Sequence, residues 1–352
     1  MPATEPPSPA RLSAYATAST ALGLLSDRRL ADAAAAAPAL GSGIGGRSAE
    51  LDVDGVRVFV KHVPLTDLEL RPENVRSTAN LFELPLFYQY GVGSAGFGAW
   101  RELAAHLMTT GWVLSGAYPG FPLLYHWRIL PDVPPTGFTD GFGGIDGAVA
   151  HWEGSAAVRR RLEAIGRSSA ALVLFLEHVP HTVADWLRDH EDAVAQPWFE
   201  DGLTRGTEFM GSRGLVHFDA HFRNLLTDGR QVYFADFGLA LSSGFELSPE
   251  EAEFLSDHLV YDRVYAPTHL LRHHLLDRVR GDVDRGTFLR EWGAGRRPGG
   301  IPHEIAALID RHVRPALVLD DFFHRLVTRS KRTPFPAAAL RAALNGTPVS
   351  RS

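Results

Sequence analysis

Residues 216–226 read Val216-His217-Phe218-Asp219-Ala220-His221-Phe222-Arg223-Asn224-Leu225-Leu226, and twelve positions after Asn224 comes Asp236-Phe237-Gly238. Between them, Leu225–Thr227 and Gln231–Phe234 flank Asp228-Gly229, a residue pair that marks a tight β-hairpin. Such a hairpin folds Asp236 back beside the loop that carries Asp219 and Asn224. Two carboxylates and an amide in one small space suit a hard, oxygen-seeking cation such as Mg²⁺, which also binds nucleotide phosphates.

Upstream, the run Gly41-Ser42-Gly43-Ile44-Gly45-Gly46 matches Gly-x-Gly-x-x-Gly at Gly41, Gly43 and Gly46. Backbone amides of such a loop can cradle phosphate; a flexible linker is the plainer alternative. Glu50–Val53 and Val56–Lys61 flank Asp54-Gly55, a second hairpin signal, which places Lys61 on a strand. The chain has only two lysines, Lys61 and Lys331, the rest of its 35 basic residues being arginine. Codon bias accounts for the arginines. A lysine kept in such a chain points to a place where a compact ammonium is needed rather than a planar fork. Lys331, within Arg329-Ser330-Lys331-Arg332, reads as a surface residue.

Taken in order over residues 40–240, these segments resemble the protein-kinase-like phosphotransferase superfamily. His217-x-Asp219 with Asn224 looks like the catalytic loop, Asp236-Phe237-Gly238 like the metal-binding triplet, and Lys61 like the phosphate-binding lysine of a strand. The resemblance implies an α+β, bilobal protein-kinase-like fold with a small antiparallel β-sheet N-lobe and a mainly helical C-lobe. It implies ATP and Mg²⁺ as cofactors. Asp219 would accept the proton of the acceptor hydroxyl, and Asn224 and Asp236 would hold the metal. Lys61 would contact the α- and β-phosphates under the amides of Gly41, Gly43 and Gly46. His217 would orient the loop, and backbone groups of Glu177 and Val179, ending the strand Leu174–Val179, would face adenine. The carboxylate partner of Lys61 is expected at Glu102, on a helix over 100–110 where Glu102, His106 and Thr109 share a face; Glu73 and Glu83 compete. Glu102 lies 41 residues past Lys61, so 64–99 reads as an insertion, and 131–168 as another.

The departures from regulated protein kinases are informative. Phe218 stands where those enzymes carry the Arg that binds a phosphorylated activation loop, so such control is not expected. His221 stands two residues after Asp219, which is more similar to aminoglycoside and choline kinases. No Ala-Pro-Glu follows Gly238; the chain passes directly into Ser248-Pro249-Glu250-Glu251, a capping box. These features favour a hydroxyl-bearing small molecule, or Ser/Thr of a biosynthetic peptide, as acceptor. Asp257, Asp262, Asp320 and Asp321, with His258, His269, His273 and His274, are candidates to line a cationic acceptor's site; ordinary solvated helix faces are the alternative. Three other readings stay open: a Ser/Thr kinase acting on proteins, a silent nucleotide-binding pseudokinase scaffold, and a metal hydrolase using His217, Asp219 and His221.

The 352 residues carry a net charge of −6 and no cysteine. Disulfides, Cys-ligated zinc and thiol catalysis are excluded, and the acidic balance disfavours nucleic acid. No apolar run is long enough for a membrane span, and no secretory signal stands at the N-terminus, which together predict a cytoplasmic protein. Residues 1–40 read as an N-terminal extension, disordered over the Pro-rich 1–10 and helical over 11–37. Residues 41–178 read as the N-lobe and 179–352 as the helical C-lobe. Strands are expected at Leu123–Leu130 and Ala171–Val179, and helices at 152–166, 182–190 and 197–212.

Overall fold

The computed structural model of the protein describes residues 6–43, 46–190, 192 and 196–345. The fold is α+β. The chain divides into two units: residues 1–179 with 235–252, and residues 180–234 with 253–352. Asp236-Phe237-Gly238 thus belongs to the first unit, whereas the sequence reading counts it with 179–352. The hairpin before it stays in the second unit, and the chain returns at Ala235.

The first unit opens with α1 (Pro9–Leu24) and α2 (Asp27–Ala36). The disorder expected over 1–10 does not extend to its end: Ser8 caps the helix through Arg11 N–H, and Pro9 occupies the first turn, where its missing N–H costs nothing. Residues 1–5 lie outside the described residues. The single helix expected over 11–37 is two, because Ser26 caps α2. Neither is a loose extension, since Ala18, Leu22, Leu30 and Ala34 are buried.

Next come β1 (Ala39–Gly43), β2 (Gly46–Val53), β3 (Val56–Leu65), α3 (Ala99–Leu114), β4 (Leu124–Pro131), α4 (Ile145–His151), α5 (Ala156–Ile165) and β5 (Ala170–Glu177). The five strands form one antiparallel sheet ordered β1-β2-β3-β5-β4. The helix expected over 152–166 is narrower, because Ser155 starts α5 with a new N-cap. Along β3, Phe59, Lys61, Val63 and Leu65 share one face by the two-residue strand period. Val63 and Leu65 pack there with Trp100 and Leu103 of α3 and with Leu172, Leu174 and Leu176 of β5. Lys61 is therefore carried on the face that holds α3.

The second unit begins with β6 (His181–Thr182), α6 (Val183–Asp189) and α7 (Pro197–Ser212), then β7 (Leu215–Val216), β8 (Leu225–Thr227) and β9 (Val232–Phe234). β6, β8 and β9 make a small antiparallel sheet. Asp228 closes the β8–β9 turn by accepting the N–H groups of Arg230 and Gln231. After β10 (Leu241–Ser242), which belongs to the first unit, come α8 (Pro249–His258), α9 (Tyr261–Leu270), a π-helical turn (Leu271–Leu275), α10 (Leu276–Val279), α11 (Arg285–Gly293), α12 (His303–Thr328) and α13 (Ala337–Leu344). In α12, Ile305, Leu308, Ile309, Val313, Ala316, Leu319, Phe322 and Leu326 are buried, the three-and-four spacing of an amphipathic helix. Lys331 is not a surface residue. It is buried, with Nζ 3.5 Å from the Leu326 carbonyl. Among the described residues no helix is long and apolar enough to cross a membrane.

Candidate active site

In the first unit the geometry centres on Lys61. β3 is hydrogen-bonded on both sides, with Lys61 opposite Ser48 of β2 and Leu174 of β5. Its Nζ donates to Glu102 Oε1 at 2.6 Å and to Asp236 Oδ1 at 2.8 Å. The competing carboxylates do not reach it: Glu73 and Glu83 are exposed, and Glu83 faces Arg160. Glu102 sits in the first turn of α3, where the helix dipole favours an anion. Glu102, His106 and Thr109 are all buried on one face.

The electrostatics keep Lys61 charged while burial opposes ionisation of Glu102. Burial works against the Lys61 ammonium, but the carboxylates of Asp236 and Glu102 outweigh it and hold its pKa above the ordinary lysine value. Burial pushes Glu102 upward, and the adjacent ammonium opposes that shift. The three side chains differ in access. Glu102 is 3% exposed and Lys61 10%, whereas Asp236 is 42% exposed. Asp236 is therefore the most accessible side chain of the three. Asp236 also has a positive φ of 60°, a strained conformation for a non-glycine residue, of the kind concentrated at functional sites.

Gly41 and Gly43 lie on β1 and Gly46 starts β2, with Gly41 opposite Ser48 and Gly43 opposite Gly46. The glycine run is thus a hairpin at the sheet edge rather than a linker; Ile44 and Gly45 lie outside the described residues. Gly46 has φ +116°, and a Cβ there would fall 1.9 Å from the His62 carbonyl oxygen. Glu177 ends β5. Its N–H donates to the Leu123 carbonyl at 2.8 Å, so that N–H is already committed. Its side chain has a role with no local sequence signal: Arg11 of α1 forms a two-pronged ion pair with it. Val179 follows, half-buried, just beyond the strand.

The second unit holds His217, Asp219, His221 and Asn224. His217 is fully buried, and its Nδ1 accepts the Asp219 N–H at 3.3 Å. The Asn224 Nδ2 donates to Asp219 Oδ2 at 3.0 Å and to the Asp219 carbonyl at 3.1 Å, so the oxygen of the Asn224 amide is the one of its two polar atoms suited to a cation. His221 Nδ1 accepts the Arg223 N–H, and its Nε2 lies 3.7 Å from Asp219 Oδ2, beyond a hydrogen bond. Phe218 carries φ +64°, which turns the backbone sharply just before Asp219. Burial of His217, with Nδ1 occupied, leaves it unsuited to the alternate-ligand role of the hydrolase reading.

Asp262 corrects the sequence reading. It lines no acceptor surface. It is buried under the loop, accepting the N–H groups of His217 at 2.6 Å and Phe218 at 3.1 Å. Burial pushes its carboxyl up to about 7, against the pull of those two donors. Nearby, burial and then the carboxylates of Asp219 and Asp262 keep the Tyr265 hydroxyl protonated. His258 is also buried, stacked between Phe254 and Phe335. Asp320 pairs with Arg272 at 3.2 Å, and Asp321 with Arg325 at 2.7 Å.

Among the described residues no three His, Cys, Asp or Glu side chains come together as a protein-only metal cage. Mg²⁺ keeps several waters and takes one or two protein oxygens besides substrate phosphates. The exposed carboxylate of Asp236 and Oδ1 of Asn224 are donors of that type. Neither a protein-family model nor a curated protein matches the chain.

Proposed function

We propose that the chain is an ATP- and Mg²⁺-dependent phosphotransferase of the protein-kinase-like type, with an alcohol as acceptor. The observation that carries this reading is the Lys61–Glu102–Asp236 triad, formed from residues 41 and 175 positions apart in sequence. A buried ammonium between two carboxylates, one of them partly exposed, is suited to polyphosphate and its metal. Lys61 binds phosphate oxygens, and Asp236 and Asn224 offer the oxygens that would hold Mg²⁺. The metal, when bound, would neutralise the charge of the phosphates. Asp219, held by His217 and Asn224, accepts the acceptor hydroxyl's proton as that oxygen bonds to the γ-phosphorus and ADP leaves.

The acceptor class follows from the departures already noted. Phe218 and the short run from Gly238 to Ser248 speak against a phosphorylation-controlled kinase of folded proteins. A small hydroxylated molecule or a biosynthetic peptide is the better match. The test is a screen for ATP consumption and phosphorylated product against sugars, nucleosides, aminoglycosides and peptides. Turnover that Asp219→Ala abolishes is expected. A wild-type chain that Mg-ATP does not stabilise against heating overturns the reading.

A further inference from the structure

Segment 64–99 has no part in the chemistry above, yet it contacts the helix that bears Glu102 and the stretch that follows Asp236. At one end Glu69 Oε1 accepts the Ala99 N–H at 2.7 Å, capping α3 three residues before Glu102. The remaining contacts of Glu69 tie it down: Oε2 accepts from Thr66 N–H, Thr66 Oγ1 and the buried Arg161. Helix α3 has no side-chain cap of its own at Gly98, so the insertion supplies one.

The rest of the segment grips the stretch that follows Asp236-Phe237-Gly238. Gln89, buried, donates its amide to the Leu239 carbonyl. Thr78 Oγ1 accepts the Glu246 N–H at 2.8 Å. The Thr78 carbonyl accepts from Arg101 Nε at 2.8 Å, and Arg101 reaches Glu251 at 2.6 Å. Gly96 passes so close to the Gly238 carbonyl oxygen that a Cβ would stand 2.5 Å from it. Arg101 is the neighbour of Glu102 on α3. The same segment therefore fixes the helix that bears Glu102 and the strand of chain that bears Asp236.

We infer that segment 64–99 is a built-in brace that holds Glu102 and Asp236 on Lys61, with Thr78 and Gln89 as its positioning residues. This rests on the phosphotransferase reading. It gives the phosphate-binding site a preformed geometry in the unmodified chain, and accounts for the absence of an Arg before Asp219. Control by a phosphorylated loop is replaced by constant contacts within the first unit. The brace acts on the phosphate end of the nucleotide and leaves the adenine end, at Glu177 and Val179, untouched.

The test compares the full-length, phosphatase-treated wild type with Thr78→Val/Gln89→Leu. Amide hydrogen exchange is read without ligand, and binding is read with a non-hydrolysable Mg-ATP analogue and with adenosine. Loss of one buried and one part-buried hydrogen bond is expected to speed exchange over 236–247 about tenfold and to weaken the analogue about tenfold. Adenosine affinity should not change, and Thr78→Ser with Gln89 intact should behave as wild type. Exchange that stays slow in the double variant overturns the brace whatever the nucleotide does. Faster exchange with equal losses for adenosine and analogue overturns its specific action on Lys61. A wild type with slow exchange that binds neither ligand instead overturns the phosphotransferase reading itself.

Discussion

Lys61 and Glu102 meet at 2.6 Å in a place where both are almost wholly out of water. A buried pair of this kind is strongly destabilised when one partner is removed, because the other is left charged and alone; the loss is about 3–5 kcal/mol. Lys61→Met should therefore lower the urea midpoint, and adding Glu102→Gln should restore part of it. Additive losses in the double variant would show that the two side chains are not coupled.

Lys61→Arg tests chemistry rather than charge. The cation is kept, but a planar guanidinium cannot sit between two carboxylates and two phosphates as an ammonium does. Turnover should fall by roughly 10²–10³, the scale of losing one well-aimed donor. Stability should change far less than in Lys61→Met. Steady-state kinetics beside a melting curve read both; undiminished kcat/KM would remove Lys61 from phosphate binding.

Asp219→Asn keeps shape and hydrogen bonding to Asn224 while removing the base. Its kcat should drop by about 10²–10⁴, with Mg-nucleotide affinity close to wild type. A matching loss of nucleotide affinity would place Asp219 at the metal rather than at the acceptor.

Asp262→Ala deprives two buried N–H groups, those of His217 and Phe218, of their acceptor. Each such group costs about 1–3 kcal/mol. The loop before Asp219 should loosen, seen as faster exchange of those two amides and a lower denaturation midpoint. Unchanged exchange there would mean that Phe218 keeps its φ of +64° without help from α9.

How much of this was legible follows from the range of each interaction. The Asp54-Gly55 and Asp228-Gly229 hairpins could be read because turn chemistry is local, and the structure has β2–β3 and β8–β9 there. The capping box at Ser248 is present in both directions, Ser248 Oγ accepting from Glu251 N–H and Glu251 accepting from Ser248 N–H. Glu102 could be singled out because helical spacing puts it on a face with His106 and Thr109. Asp262 could not, because it meets His217 across 45 residues and a buried helix acid looks in sequence like a solvated one. The same holds for Arg11 and Glu177, 166 residues apart, and for the burial of Lys331. Segment 64–99 lacks periodicity, so its contacts with 238–251 left no pattern to read.

The buried histidine of α8 gives the chain an acid limit with a definite sign. Burial, with a smaller contribution from Arg341, lowers the His258 pKa to about 3, against the opposing pull of its bond to the Phe254 carbonyl. Above its ordinary value of 6.5 the ring is neutral in both states, and its contribution to stability is complete. As pH falls below 6.5 the unfolded chain takes up a proton that the folded chain refuses, so stability is lost down towards pH 3. One such group supplies a slope of up to about 1.4 kcal/mol per pH unit. His269 and His274, lowered by burial to about 3 and about 4, act in the same direction. His258→Phe keeps an aromatic ring between Phe254 and Phe335, whose centroids lie 3.9 and 4.0 Å from the imidazole, and removes one titrating group. Denaturant unfolding at about pH 7 and about pH 5 should show a smaller acid loss in the variant, with the two proteins converging or crossing as pH falls. A constant difference between them at both values would mean that His258 does not titrate on unfolding.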